Sequence, residues 1–235
     1  MDKQKLNELR SRWITNPQFQ DFLDYKLSFQ TELDGKPRRT WFATAPQFDH
    51  PTIGVAFDLR GVSLENRDLA GCGLESSVLD DGSARGCKFD KILLQGSSAD
   101  RCDFTGSQFN EAQMSPFYAS QAIFRHCIFN SCFLMGIGPR DYTTGAFSDL
   151  RNCDFTGVDA IKTYFERCDL RETRFTNGQF THCNFFQSDL RGGEFYKARF
   201  SGCNFTEAEF DDLPSLREMV LRGGNLGVER INWHT

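Results

Sequence analysis

From Phe57 to Asp212 a large apolar residue returns at every fifth position, and the residue two before it is nearly always small. The apolar centres run in steps of five from Leu59 to Leu134, then resume one residue out of step from Leu150 to Phe210. All 29 centres are apolar in a chain that is only 39% hydrophobic, so the pattern is not chance. A strand alternates with period two and a helix with 3.6, and neither keeps every fifth residue buried over such a length. A unit that reads in, out, in, followed by two corner residues, does. The pattern predicts short straight sides separated by turns and stacked coil upon coil, a β-solenoid.

The inward position before each centre has less room, and 25 of the 29 are Ala, Cys, Ser, Thr, Val or Gly; Phe57, Arg67, Ile92 and Phe117 are the exceptions. The small centres Ala99, Ala119 and Ala160 share one side if a coil holds four fives and the chain slips by a single residue between Leu134 and Leu150. The triplet Asp-Leu-Arg recurs at 149–151, 169–171 and 189–191, again every 20 residues. A square coil follows.

Units such as CDFTG, SDLRG, ARFSG and CNFTE resemble the pentapeptide-repeat family. The resemblance implies an all-β solenoid, a right-handed quadrilateral β-helix, over 57–212. Counting two positions inside an interruption at 135–149, the array holds 31 sides, about 7.75 coils, or roughly 37 Å at ~4.8 Å per coil. Residues 1–56 form a partly helical capping or recognition segment, and 213–235 a short helical cap and tail. Leu6, Leu9 and Trp13 suit one helical face; Asn16 and Pro17 open a second helix with Phe19, Phe22, Leu23 and Leu27, and the rest to Ala56 reads as turn and loop. Asp212 and Pro214 start a C-terminal helix through Leu216, Met219 and Val220 that Gly223-Gly224 stops. In topoisomerase-binding relatives that end is commonly the dimer contact, and Leu216, Met219, Val220, Ile231 and Trp233 are the residues that could serve here.

All nine Cys occupy the small inward position, where cysteine behaves as a small hydrophobe. Cys183 and Cys203, like Cys132 and Cys153, are expected one above the other with parallel Cβ vectors, which suits a disulfide poorly. Free thiols and a cytoplasmic protein are the expectation, and the charged start from Met1 resembles no secretory signal. His126 and His182 precede inward Cys but fall on outward corners, so no metal is expected, and no cofactor.

The formal charge is −5. Residues 57–212 carry 23 acidic and 16 basic side chains, and a mildly acidic rod disfavours direct nucleic-acid binding. Asp149, Asp169, Asp189 and Glu209 form one outward column beside Arg151, Arg171 and Arg191. This reads either as a phosphate-spaced surface or as a solvated ion-pair ladder. Glu207, Glu209, Asp211 and Asp212, without Arg, make the better acidic patch. A second candidate surface is an apolar belt on the outward positions of one coil, Tyr118, Ile123, Ile128 and Phe133, continued by Met135, Ile137, Tyr142 and Phe147. It is covered either by the chain itself or by a protein partner or second copy.

A filled rod has no concave site, so the sequence argues against an enzyme. The resemblance to Qnr-like and albicidin-resistance members implies a type II topoisomerase partner, DNA gyrase or topoisomerase IV, and protection from inhibitors. A scaffold, toxin-immunity or secretion-associated role, docking through the belt and the N-terminal segment, is the alternative. No membrane association is expected.

Overall fold

A five-residue side leaves only two or three residues straight enough to pair, and from Ser77 onward the strands are that short. The computed structural model describes residues 3–15, 47–50, 54–135, 148–211 and 219–228. Helix α1 (Lys3–Thr15) is followed by β1 (Gln47–His50), β2 (Gly54–Asp58), β3 (Ser77–Val78), β4 (Ser97–Ser98), β5 (Gln113–Met114), β6 (Phe117–Tyr118), β7 (Phe133–Met135), β8 (Asp159–Ile161), β9 (Gln179–Thr181), β10 (Arg199–Ser201) and β11 (Val220–Arg222). Apart from the antiparallel β1–β2 hairpin, all ladders are parallel. The protein is a parallel β-solenoid with one short N-terminal helix.

Four columns of outward residues define four walls. Wall 1 carries Asp58, Val78, Ser98 and Tyr118, then Tyr164, Asn184, Asn204 and Leu226. Wall 2 runs Ser63, Ser83, Asp103, Ile123, Asp149, Asp169, Asp189, Glu209, and wall 3 runs Asp68, Lys88, Gln108, Ile128, Asp154, Arg174, Glu194. Wall 4 runs Gly73, Leu93, Gln113, Phe133, Asp159, Gln179, Arg199, Val220 and is the six-stranded sheet β11-β10-β9-β8-β7-β5. Walls 2 and 4 are therefore opposite sides of the square.

Most corners are tight turns in which the fourth residue's N–H donates to the first residue's carbonyl, as Val62 N does to Leu59 O at 3.1 Å. The third residue there adopts φ between about +50° and +74°, in Asn66, Lys91, His126 and Gln187 as much as in Gly106; the corner with the cis Ser115–Pro116 bond is an exception. Left-handed backbone costs an ordinary L-residue about 1–2 kcal/mol, so the corners depend on the stacked walls to hold them.

Inside, 28 of the 29 centres are buried, and Phe210 is half-buried. Phe rings stack along each wall, as in Phe109–Phe129 and Phe129–Phe155 at 4.9 Å, and meet edge-on between walls, as in Phe104–Phe109 at 5.6 Å and 70°. The small inward residues do more than fill space. The Cys87, Cys127 and Cys153 thiols donate to the carbonyls of Leu64, Phe104 and Phe124 at 2.8, 3.0 and 2.8 Å. Ser97, Ser107 and Thr173 hydroxyls do the same to Leu74, Ala84 and Leu150. Each of these carbonyls belongs to a centre on the coil below. A Cys, Ser or Thr there supplies a donor that Ala or Val could not.

Several expectations are corrected. Leu134 pairs with Ala160 and Ile123 with Asp149, so the interrupted coil has 26 residues where the coils on either side of it have 20. The surplus is six residues, not one; one and six are equal modulo five, which is why the phase of the pattern could not separate them. Ala160 accordingly lies on wall 4 above Leu134, not on wall 1 with Ala99 and Ala119, and a single side rather than two is lost in the interruption. Cys153 stacks on Cys127, not on Cys132, whose rung is taken by Val158. Residues 47–50 and 54–56, expected as loop, are strand.

At the other end Val220, expected in a helix, opens strand β11, because Val220–Arg222 adds to Arg199–Ser201 in register. Met219 is buried, so it belongs to the core rather than to a dimer surface. Leu226 N then donates to Cys203 O at 2.8 Å, and the Asn225 side chain accepts the Cys203 N–H at 2.8 Å. The coil thus runs past the last clean five. The expected second helix from Pro17 and the start of the C-terminal helix lie outside the described residues.

Helix α1 sits on the first coil. Trp13 is buried and donates its indole N–H to Arg60 O at 2.8 Å, while Arg12 grips Asp58 with two hydrogen bonds of 2.7 Å. The backbone at Leu9 and Arg10 passes so close that a Cβ at Gly61 would lie 3.1–3.2 Å from it, and Gly61 has φ +70°.

Candidate functional site

With the interior filled by aromatic rings, the chemistry this chain offers lies on the walls and corners. Wall 2 carries the Asp/Arg columns, and they interlock. Arg125 bonds Asp149 at 2.5 Å; Arg151 bonds Asp149 at 2.8 Å and reaches Asp169 at 3.4 Å. Arg171 bonds Asp169 at 2.6 Å and reaches Asp189 at 3.5 Å; Arg191 bonds Asp189 at 2.5 Å and reaches Glu209 at 3.3 Å. Four guanidiniums alternate with four carboxylates, so the ladder is locally neutral. Partial burial would raise the Asp149 carboxyl, but hydrogen bonds from Arg151 and Arg125 hold it at about 2. The Arg191 hydrogen bond lowers Asp189. An alternating ladder has no net field for a cationic groove to recognise, and the solvated ion-pair reading of this column is the one the geometry supports.

The acidic patch lies at the end of this wall. Glu209 is exposed but, contrary to expectation, is not free of Arg, because Arg191 reaches it at 3.3 Å; Glu207 accepts from Gln187 at 2.6 Å, and Asp211 accepts the Gly192 N–H. Asp212 lies outside the described residues. So do Leu216, Ile231 and Trp233 of the expected dimer contact, whereas Val220 is 43% exposed.

The apolar belt is real as a coil but not as a patch. Tyr118, Ile123, Ile128 and Phe133 stand one on each wall, so a flat partner meets two of them at most. Phe133 is 40% exposed, and the other three are half-buried. Met135 ends β7; Ile137, Tyr142 and Phe147 lie outside the described residues.

All nine thiols are free. Burial pushes Cys127, Cys132 and Cys168 up to about 12, so they are poor nucleophiles and poor metal ligands at neutral pH. His126 and His182 occupy exposed left-handed corners, and no cluster of potential metal ligands occurs among the described residues.

Inspection by wall reveals a set of residues that the summed charge concealed. Lys162, Lys197, Arg199 and Arg222 are exposed and make no ion pair among the described residues, and all lie on wall 4 or its edges. The signal was available in the fives: outward and corner positions of that wall read Lys162, Lys197, Arg199, Arg222.

The sequence matches a model of pentapeptide repeats, eight copies, over residues 148–187 and 183–213. No curated protein matches in sequence. Among solved structures, full-length QnrB1, a plasmid-mediated fluoroquinolone resistance protein, is 23% identical, with 73% of this chain and 91% of that one covered and a TM-score of 0.44. HetL, a pentapeptide repeat protein involved in heterocyst differentiation regulation from the cyanobacterium Nostoc, is 13% identical, covering 72% and 84%, with a TM-score of 0.39. A pentapeptide repeat protein from the Arabidopsis thaliana thylakoid lumen is 16% identical, covering 74% and 89%, with a TM-score of 0.26.

Proposed function

We propose that this chain, whose residues 148–213 match pentapeptide repeats and whose coil runs back to Phe57, acts without catalysis, by binding another protein. The observation that carries this reading is the solid interior. Phe89, Phe104, Phe109, Phe155, Phe175, Phe180, Phe185, Phe195, Phe200 and Phe205 are all at most 2% exposed, so among the described residues the interior of the coil holds side chains rather than a recess that could enclose a substrate.

The specific partner we propose is a type II topoisomerase, in keeping with the resemblance of the repeats to Qnr-like proteins. The acidic end at Glu207 and Asp211, rather than the neutralised ladder that finishes at Glu209, is the surface suited to a basic DNA-binding groove. Two copies joined at their C-terminal ends would present two such surfaces. Supercoiling by purified gyrase and topoisomerase IV, with and without a fluoroquinolone, tests the proposal. An unchanged response to the drug at saturating protein would refute it, and sedimentation showing only monomer at micromolar concentration would refute the paired form.

The exposure of Phe133 between Gln113 and Asp159 favours a second reading, docking to a different protein as a scaffold or neutraliser. Ile128→Asp with Phe133→Asp would abolish capture of such a partner while leaving topoisomerase behaviour unchanged.

A further inference from the structure

Cations on this solenoid are almost all used. Arg60, Arg85, Lys88, Lys91, Arg101, Arg125, Arg151, Arg167, Arg171, Arg174 and Arg191 each have a carboxylate within 4.0 Å. Among the described residues, the exceptions are Arg67, half-buried at an inward position near the start of wall 3, and four exposed cations that gather in one place. Arg199 opens β10 and points outward, Lys197 stands on the corner leading into it, and Arg222 ends β11 opposite Ser201. Lys162 stands beyond the end of β8 on the other edge of the same wall.

Two details describe the surroundings of these cations. The Lys197 ammonium lies 4.8 Å from the centroid of the Tyr196 ring, and Tyr196 is itself 44% exposed. His182, exposed between Lys162 and Arg222 on the edge, lies so close to the next coil that a Cβ at Gly202 would fall 2.5 Å from Nδ1. Gly202 has φ +63°, so this corner both takes a left-handed residue and leaves room for the ring.

The opposite wall carries the neutral ladder, and the only outward carboxylate among the described residues of wall 4 is Asp159. From Lys162 to Arg222 the patch spans three coil spacings, roughly 14 Å, which about four or five residues of extended chain would cover.

We propose that this end of wall 4 is the docking surface for an acidic, extended segment of the partner protein. The inference rests on the reading that the chain binds a protein. Charge complementarity names the occupant's chemistry: unpaired cations on a flat, exposed sheet attract carboxylates, and Tyr196 and Val220 offer apolar contact beside them. A short peptide segment fits the extent of the patch. A long polyanion would run on to Asp159 and to Glu194 on the adjoining wall of a chain whose net charge is −5.

The test is fluorescence anisotropy of a labelled oligoglutamate peptide with the full-length chain. A single-stranded oligonucleotide and vesicles of phosphatidylserine in phosphatidylcholine serve as competitors. The expected result is binding that weakens at least tenfold in Lys197→Glu/Arg199→Glu and in the milder Lys197→Gln/Arg199→Gln. Binding should stay within twofold in Lys88→Glu/Lys91→Glu, which makes the same charge change near the opposite end of the rod, with all four proteins melting alike. Equal loss in that variant, tighter binding of the oligonucleotide or the vesicles, or no peptide binding at all would overturn the proposal. The topoisomerase assay separates the two ideas. An inhibitor response that survives in Lys197→Glu/Arg199→Glu, together with absent peptide binding, sinks this surface and leaves the protein-binding reading standing.

Discussion

Removing the Phe185 ring is the severest single test of a solid interior. Phe185 is 0% exposed, and its ring is sandwiched between Phe165 and Phe205, each 4.9 Å away and within 14° of parallel. It also meets Phe175, Phe180 and Phe200 edge-on at 5.8–6.4 Å. Truncating a buried Phe to Ala costs about 3–5 kcal/mol, according to how far the site can collapse. Collapse is blocked here, because Phe185 N is tied to Asn204 O at 2.7 Å and Asn184 N to Thr163 O at 2.9 Å, fixing the coils on both sides. Each lost stacked pair is worth about 0.5–1.5 kcal/mol beyond its area, which puts Phe185→Ala near 5 kcal/mol. For a domain of this size that corresponds to a fall in Tm of roughly 10–20 °C, read by far-ultraviolet circular dichroism. Phe210→Ala, half-buried with two tilted ring contacts, should shift it by less than half as much. Equal shifts for the two variants would refute the reasoning, because the rings would then not be packed as a continuous pillar.

Three further outcomes follow from the same geometry. Asp149 titrates below its ordinary 3.8, so its contribution to stability is complete above that value and is lost as pH falls towards about 2; Arg151→Gln should lose stability at pH 6 and show a shallower acid limb, and an acid limb identical to wild type would count against the ladder. In the folded chain Cys72, the one half-buried thiol, should react with a disulfide reagent first, and the other eight should react only on unfolding; fast labelling of Cys127 or Cys168 would contradict their burial. Arg12→Leu removes two hydrogen bonds from Asp58, a carboxylate only 6% exposed that retains Arg60, and should cost about 1–3 kcal/mol while releasing α1 to hydrogen exchange. Unchanged exchange at Leu9 and Trp13 would show that the helix is held by something else.

The period of five made the solenoid, its square section and its Phe/Leu/Cys interior legible, because each rests on which residues turn inward. What stayed hidden depended on counts the phase cannot carry. A surplus of six residues looks the same as a surplus of one, so Ala160 and Cys153 were assigned to the wrong neighbours. Val220 looked helical because Leu216, Met219 and Val220 have helical spacing, yet pairing with Arg199 satisfies its backbone as a strand. The ladder was readable from the Asp-Leu-Arg triplets, but its bridging geometry, each inner Arg serving two acids, was not. The cations of wall 4 were hidden by a negative total.

The extra-long coil has a consequence for engineering. Walls 2, 3 and 4 carry their register across it undisturbed, as Ile123–Asp149, Ile128–Asp154 and Leu134–Ala160 attest. The surplus is confined between Met135 and Ser148, two points anchored independently by their own walls. That interval is a natural splice point: a foreign epitope of arbitrary length could be grafted there and displayed from the flank of a rigid shaft, with neither half of the shaft obliged to shift.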